Sequence, residues 1–128
     1  MKLLTLARDL RRRKAREKHE LFVAEGVRTV EELVRSTLTV RGALIAPQLR
    51  DAPRGEELIA ALRTKGVQVD EVTVSEFASA AETESPQGVI AIGEIPAQGF
   101  DSISTDWKGV ILVLDAVQLR ALVAGGAV

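Results

Sequence analysis

The chain has no cysteine, so disulfides and thiolate metal sites are excluded. Its single histidine, His19, rules out a histidine-rich metal centre. Tyrosine is absent and aromatics make up only 3% of residues, so base stacking is a poor candidate for a recognition mode. No apolar run approaches the length needed to cross a bilayer. Leu3, Leu4 and Leu6 are followed by basic residues, the reverse of the order in a secretory signal, so a cytoplasmic location is expected. Neither internal repeats nor low-complexity segments occur.

What is present suits one soluble domain with a real core: 128 residues, 46% of them hydrophobic and 27% charged. The net charge of -1 conceals an asymmetry. Residues 1–20 hold eight Lys and Arg against three Asp and Glu, so the remaining chain must sum to -6. A basic arm on an acidic body points to a polyanionic partner at one end. Arg11, Arg12, Arg13 and Lys14 are consecutive and therefore wrap around a helix rather than line one face, with few acidic partners at i,i+4. With Arg16 and Lys18 they are candidate phosphate contacts, weighed against the commoner reading of a solvated helix face.

Along the chain, Leu3, Leu6, Ala7 and Leu10 predict a helix over residues 2–16, docked by its first half with its basic half projecting. Leu21 to Ala24 reads as a short strand, Glu25-Gly26 as a turn, and Val27, Val30, Leu33 and Val34 as the apolar face of a second helix. A second strand is expected over 39–46, then a loop. Asp51 is expected to cap a helix through Leu58, Ile59 and Leu62 that ends near Gly66. Val67, Val69, Val72 and Val74 suggest a third strand, and Ser75 to Ala81 a short helix capped by Ser75. A turn over 84–88 leads to Val89-Ile90-Ala91-Ile92, whose unbroken apolar character fits the covered centre of a sheet. This alternation predicts an α/β fold, a small α/β/α sandwich over residues 1–93. Residues 94–108, with proline, glycine and serine, read as a linker, and Val110 to Leu114 as another buried-type strand ending at Asp115.

Three stretches together carry a resemblance: RRRKAREKHELFVAEGVRTVEELV near the N-terminus, TESPQGVIAI at 83–92 and VILVLDAVQ at 110–118. In this order and spacing they resemble the substrate-binding domain of the SpoU-type (TrmH-like) RNA ribose 2'-O-methyltransferases, followed by the first strand of their catalytic domain. The resemblance implies a fold shared with ribosomal proteins that bind kinked RNA, delivering structured rRNA or tRNA to a trefoil-knotted domain. That second domain binds S-adenosylmethionine, dimerises and methylates a ribose 2'-hydroxyl. Here Gln118 is followed by LRALVAGGAV instead of the family's D-P-G-N-x-G loop, so residues 109–128 read as a truncated start of that domain. No catalytic role is carried onto Arg120. The chain is then expected to bind RNA without methylating it alone, to hold no cofactor or metal, and to lack the dimerisation surface. A stand-alone RNA-binding module of ribosomal-protein type is the alternative. It has no use for the 110–114 strand.

Several residues stay open at this point. Gly26 suits a strand-to-helix turn. Glu25 is open to holding a backbone N–H or a residue of the basic arm. Arg28, in the first turn of its helix, is open to phosphate or ribose contact or to plain solvation. Pro86 and Gly88 fit a type I turn. Gln87 is open to reading RNA base edges or capping the turn. His19 reads as a surface residue and Phe22 as core.

Overall fold

The computed structural model describes residues 2–82 and 87–96. The chain forms α1 (Leu3–Asp9), α2 (Arg13–His19), β1 (Leu21–Glu25), α3 (Val27–Arg35) and β2 (Val40–Ile45). A 3-10 turn (Pro47–Asp51), α4 (Gly55–Thr64), β3 (Val69–Glu71), α5 (Val74–Ala80) and β4 (Val89–Glu94) follow. The four strands make one sheet in the order β1-β4-β2-β3. β4 is antiparallel to both of its neighbours, and β2 is parallel to β3.

Alternation along the strands sorts side chains onto two faces. Phe22, Ala24, Ala43, Ile45, Val89 and Ala91 join α3 and α4 in one core. Leu21, Leu44, Ala46, Ile90 and Ile92 join α1, α2 and α5 in the other. The result is a sheet with helices on both faces. Val89 to Ile92 have essentially no exposed surface, as an inner strand between two apolar layers requires. Each fully buried Ile or Phe here contributes about 1.5–3 kcal/mol relative to an exposed one.

Four local expectations need correction. The first helix is not continuous to residue 16. α1 ends at Asp9, and Arg12 is extended with φ -90° and ψ 133° before α2 begins. The reason lies in the stripe: Ala15 is buried with Leu10, yet five residues further on it would lie about 140° round a continuous helix. The chain turns so that both reach the sheet, and α2 packs on β1 rather than projecting. Secondly, the cap of α4 is Arg54, in the left-handed region at φ 64°, while Asp51 closes the preceding 3-10 turn. Thirdly, Val74 belongs to α5, so β3 keeps only three residues. Lastly, Thr73 rather than Ser75 caps α5, through a reciprocal capping box with Glu76. The turn residues Glu84 to Pro86, the linker from 97 onward, the 110–114 strand and Asp115 lie outside the described residues.

Candidate nucleic-acid interface

β1 and β2 finish where β4 starts: Glu25 lies opposite Ile90 and Ile45 opposite Val89. The loops leaving this end of the sheet form a continuous rim. The Gly26 amide donates to the Val89 carbonyl (3.1 Å) and the Ala46 amide to the Gly88 carbonyl (2.9 Å). Gly26 and Gly88 both take positive φ, 96° and 99°. A Cβ on Gly26 would lie 3.3 Å from Gln87 Oε1, and one on Gly88 3.0 Å from the Leu49 amide nitrogen. Glycine is used at both positions because the conformation is one other residues resist, and a Cβ would crowd a side-chain oxygen at Gly26 and a backbone nitrogen at Gly88.

Gln87 accounts for the first of these. Its Oε1 accepts a hydrogen bond from the Val27 amide at 2.7 Å. α3 has no cap of its own at Gly26. A side chain 60 residues further along therefore supplies the acceptor that an Asp or Ser would normally supply locally. The side chain thus caps α3 rather than its own turn. Glu25 is half-buried, and its Oε1 accepts from the Glu82 amide at 3.0 Å, tying the end of α5 to the end of β1. Glu25 thus holds a backbone N–H. Arg28 is exposed on the first turn of α3 and makes no ion pair among the described residues.

The basic arm meets this rim through α5. Its members differ sharply in their surroundings. Arg12 pairs with Asp9, and Arg13 with Glu17 at 2.9 Å, so acidic partners are closer to hand than the spacing implied. The Arg12 guanidinium, chiefly through its hydrogen bond, holds the Asp9 carboxyl below the usual range. Arg16 is half-buried, and its Nη1 donates to the Leu10 (2.8 Å) and Arg11 (3.0 Å) carbonyls. It thereby clamps the corner between α1 and α2. Lys14 and Lys18 are exposed, as is His19, whose Nε2 lies 3.7 Å from Asp9. Arg11 is exposed, and its Nη1 donates to the Ser79 carbonyl at 3.3 Å. Arg8, which sequence reasoning did not single out, donates from Nε to Ser79 Oγ at 2.7 Å. The two residues are 71 apart in sequence, and no local pattern signals the contact.

Hydrogen bonds thus join Arg11 to Ser79, Glu82 to Glu25 and Val27 to Gln87, with short stretches of chain between them. Arg28 stands on the side of the sheet away from the arm. The arrangement offers guanidiniums and ammoniums to an extended anion. Among the described residues, no group of three or more His, Asp or Glu is placed to hold a metal ion. No described helix is long and apolar enough to cross a membrane.

A family model described as the MRM3-like substrate binding domain matches residues 5–91, from α1 into β4. The chain belongs to the MRM3-like substrate binding domain family. The match spans the arm and the rim together. Among curated proteins, none matches the sequence. Solved structures do. An AdoMet-bound rRNA methyltransferase from Sinorhizobium meliloti aligns with a TM-score of 0.57 at 23% identity, over 72% of this chain and 33% of that one. An RNA 2'-O ribose methyltransferase aligns at 0.63 and 23%, over 73% and 34%. The SpoU methyltransferase AviRb from Streptomyces viridochromogenes aligns at 0.60 and 22%, over 77% and 35%. At these identities the likeness establishes a shared fold. The chain spans about a third of the length of each of these relatives.

Proposed function

We propose that this chain binds structured RNA, rRNA or tRNA, as the substrate-binding part of an S-adenosylmethionine-dependent ribose 2'-O-methyltransferase of the SpoU type. The observation that carries the reading is the family match over residues 5–91, which takes in both the basic arm and the rim. The geometry supports it. Exposed Arg11, Lys14, Lys18 and Arg28 offer charge to a phosphate backbone, and the contacts of Gln87 and Glu25 tie the rim loops together. Arg12, Arg13 and Arg16 belong to the same arm, the first two with acidic partners and the third within the corner. The domain division goes with this reading: 1–93 for RNA binding, 94–108 as linker, 109–128 as the opening of a catalytic domain. So does a cytoplasmic location.

The described residues do not fit S-adenosylmethionine. Their positive-φ glycines serve tight turns, and two of them, Gly26 and Gly88, pack against neighbouring loops rather than framing a cradle. No step is therefore derived through the cofactor. What these residues do is bind and orient RNA.

The test is fluorescence anisotropy of the full chain with a labelled hairpin RNA containing an internal loop, titrated across a salt series. Binding whose logarithm falls with log salt at a slope of about -3 or steeper is expected from four or more phosphate contacts. A chain that leaves the RNA unbound at 50 mM salt, or binds with a flat salt response, defeats the proposal.

A further inference from the structure

The basic arm is uneven in a way that separates its charges by role. Arg12 and Arg13 each face a carboxylate, and Arg16 is folded onto backbone carbonyls. Arg8 and Arg11 differ. Both guanidiniums converge on one residue, Ser79, and both contacts are to neutral oxygens: Arg8 Nε to the hydroxyl at 2.7 Å, Arg11 Nη1 to the carbonyl at 3.3 Å. The hydroxyl is fixed in turn, donating to the Glu76 carbonyl at 2.6 Å. All three side chains are exposed. The nearby Glu76 carboxylate accepts from the Thr73 amide at 2.9 Å as half of the capping box, and the Arg8 charge is the smallest of the influences on it.

Two like charges held together over neutral oxygens repel each other, and an anion bound between them relieves that repulsion. Each guanidinium has five N–H donors in a fork that matches phosphate oxygens, and the Ser79 contacts use one donor on each. The Ser79 carbonyl lies in the last turn of α5, where the partial negative charge draws cations and fixes them in place. The position is also right. Just past the end of α5, three residues after Ser79, comes Glu82, whose amide is held by Glu25 at the rim.

We infer that Arg8, Arg11 and Ser79 form a phosphate subsite that grips one phosphodiester of the bound RNA, while Arg12 and Arg13 serve the corner of the fold. This rests on the RNA-binding reading above and names the residues of the arm that do the binding. Arg8 and Ser79 join the interface. The RRRK run, which is the conspicuous feature of the sequence, contributes through Arg11 and Lys14 alone.

The experiment compares salt slopes for the same hairpin RNA across full-chain variants, each confirmed folded by circular dichroism and thermal melting. Arg8→Gln with Arg11→Gln is expected to reduce the magnitude of the slope by about 1 to 2, and Arg12→Gln with Arg13→Gln by less than about 0.5. Ser79→Glu places a carboxylate between the two guanidiniums and leaves their charges present. It is expected to reproduce the loss seen for the first pair, and Ser79→Ala to keep most of the affinity. This second variant tests the subsite even if the double arginine variant melts early. An equal loss for the two arginine pairs, an unchanged slope for Arg8 and Arg11, or wild-type binding by Ser79→Glu overturns the inference alone. A wild-type chain that binds no RNA overturns the reading beneath it.

Discussion

Gln87 and Val27, 60 residues apart, are joined by a 2.7 Å hydrogen bond in which a side-chain oxygen just before the last described strand caps the helix after the first. The bond ties the segment entering β4, one of the sheet's two inner strands, to the helix that carries Arg28. Helix α3 cannot shift along its axis without breaking it. Gln87→Ala removes the only side-chain acceptor that the described residues offer to this helix start. A loss of about 1 kcal/mol is expected, within the range for cap deletions. For a domain of this size that is a fall in melting temperature of about 4–8 °C, read by circular dichroism. Gln87→Glu keeps the acceptor and adds charge favourable to a helix N-terminus, so its stability at neutral pH should match or exceed wild type. Its RNA affinity should fall, because the added charge faces the same partner as Arg28.

Gly26 holds φ 96°, and a Cβ there would crowd Gln87 Oε1 at 3.3 Å. Gly26→Ala is therefore strained by backbone and by contact together. It should cost about 1–2 kcal/mol, more than alanine at an ordinary turn glycine. A urea midpoint lowered at constant m-value would show it. Gly66 is the internal control: it too has positive φ, 85°, but a Cβ there meets nothing within 4 Å, so Gly66→Ala should cost the backbone component alone.

The α5 capping box sets an acid limit. Hydrogen bonds from the Thr73 amide, and then from its side chain, hold Glu76 below its ordinary value of 4.5. A carboxyl with a lowered folded pKa contributes fully above its unfolded value and loses that contribution as pH falls through the folded one. Stability should therefore hold level above pH 4.5 and decline as pH falls below it. In Glu76→Gln that decline should be shallower. Thr73→Ala removes the other half of the box and should cost about 1 kcal/mol at neutral pH. Urea midpoints measured from pH 7 down to pH 3 report both effects.

Arg16 and Lys14 sit two residues apart and should behave oppositely. Arg16 bridges two backbone carbonyls at the corner between α1 and α2. Arg16→Ala should lower stability by about 1–2 kcal/mol through the loss of charge-assisted hydrogen bonds. Lys14 is exposed. Lys14→Ala should leave the urea midpoint unchanged and reduce the salt slope of RNA binding by about 1. Equal stability losses for the two would show that the corner does not depend on Arg16.

The sequence by itself determined the order and kind of most elements. Val27, Val30 and Leu33 repeat at helical spacing, and Val89 to Ile92 form an unbroken apolar run, because each element must cover its own face of the core. Short-range pattern is enough for that, and it was enough to bring the RNA methyltransferase family into view. It failed where the packing partner lay elsewhere. Leu10 and Ala15 satisfy one core only if the helix between them breaks, and nothing within residues 10–15 states where that core is. Thr73 and Ser75 are both acceptable caps, and the choice fell to Thr73 because Val72 joins the core and α5 begins sooner.

The interface was still less legible. A run of four cations suggested one phosphate-binding unit, whereas the fold gave its members different work: Arg12 and Arg13 found carboxylates within four residues, and Arg11 found the end of a helix 68 residues away. Gln87 meets Val27 only because the sheet register brings the two together, and no reading of the 84–88 turn alone points to that bond. Local periodicity records how a segment meets its own neighbours and says nothing of which distant carbonyl or amide it will meet. Those encounters, Arg8 with Ser79, Glu25 with Glu82 and Gln87 with Val27, exist only once strand order and register have closed the sheet.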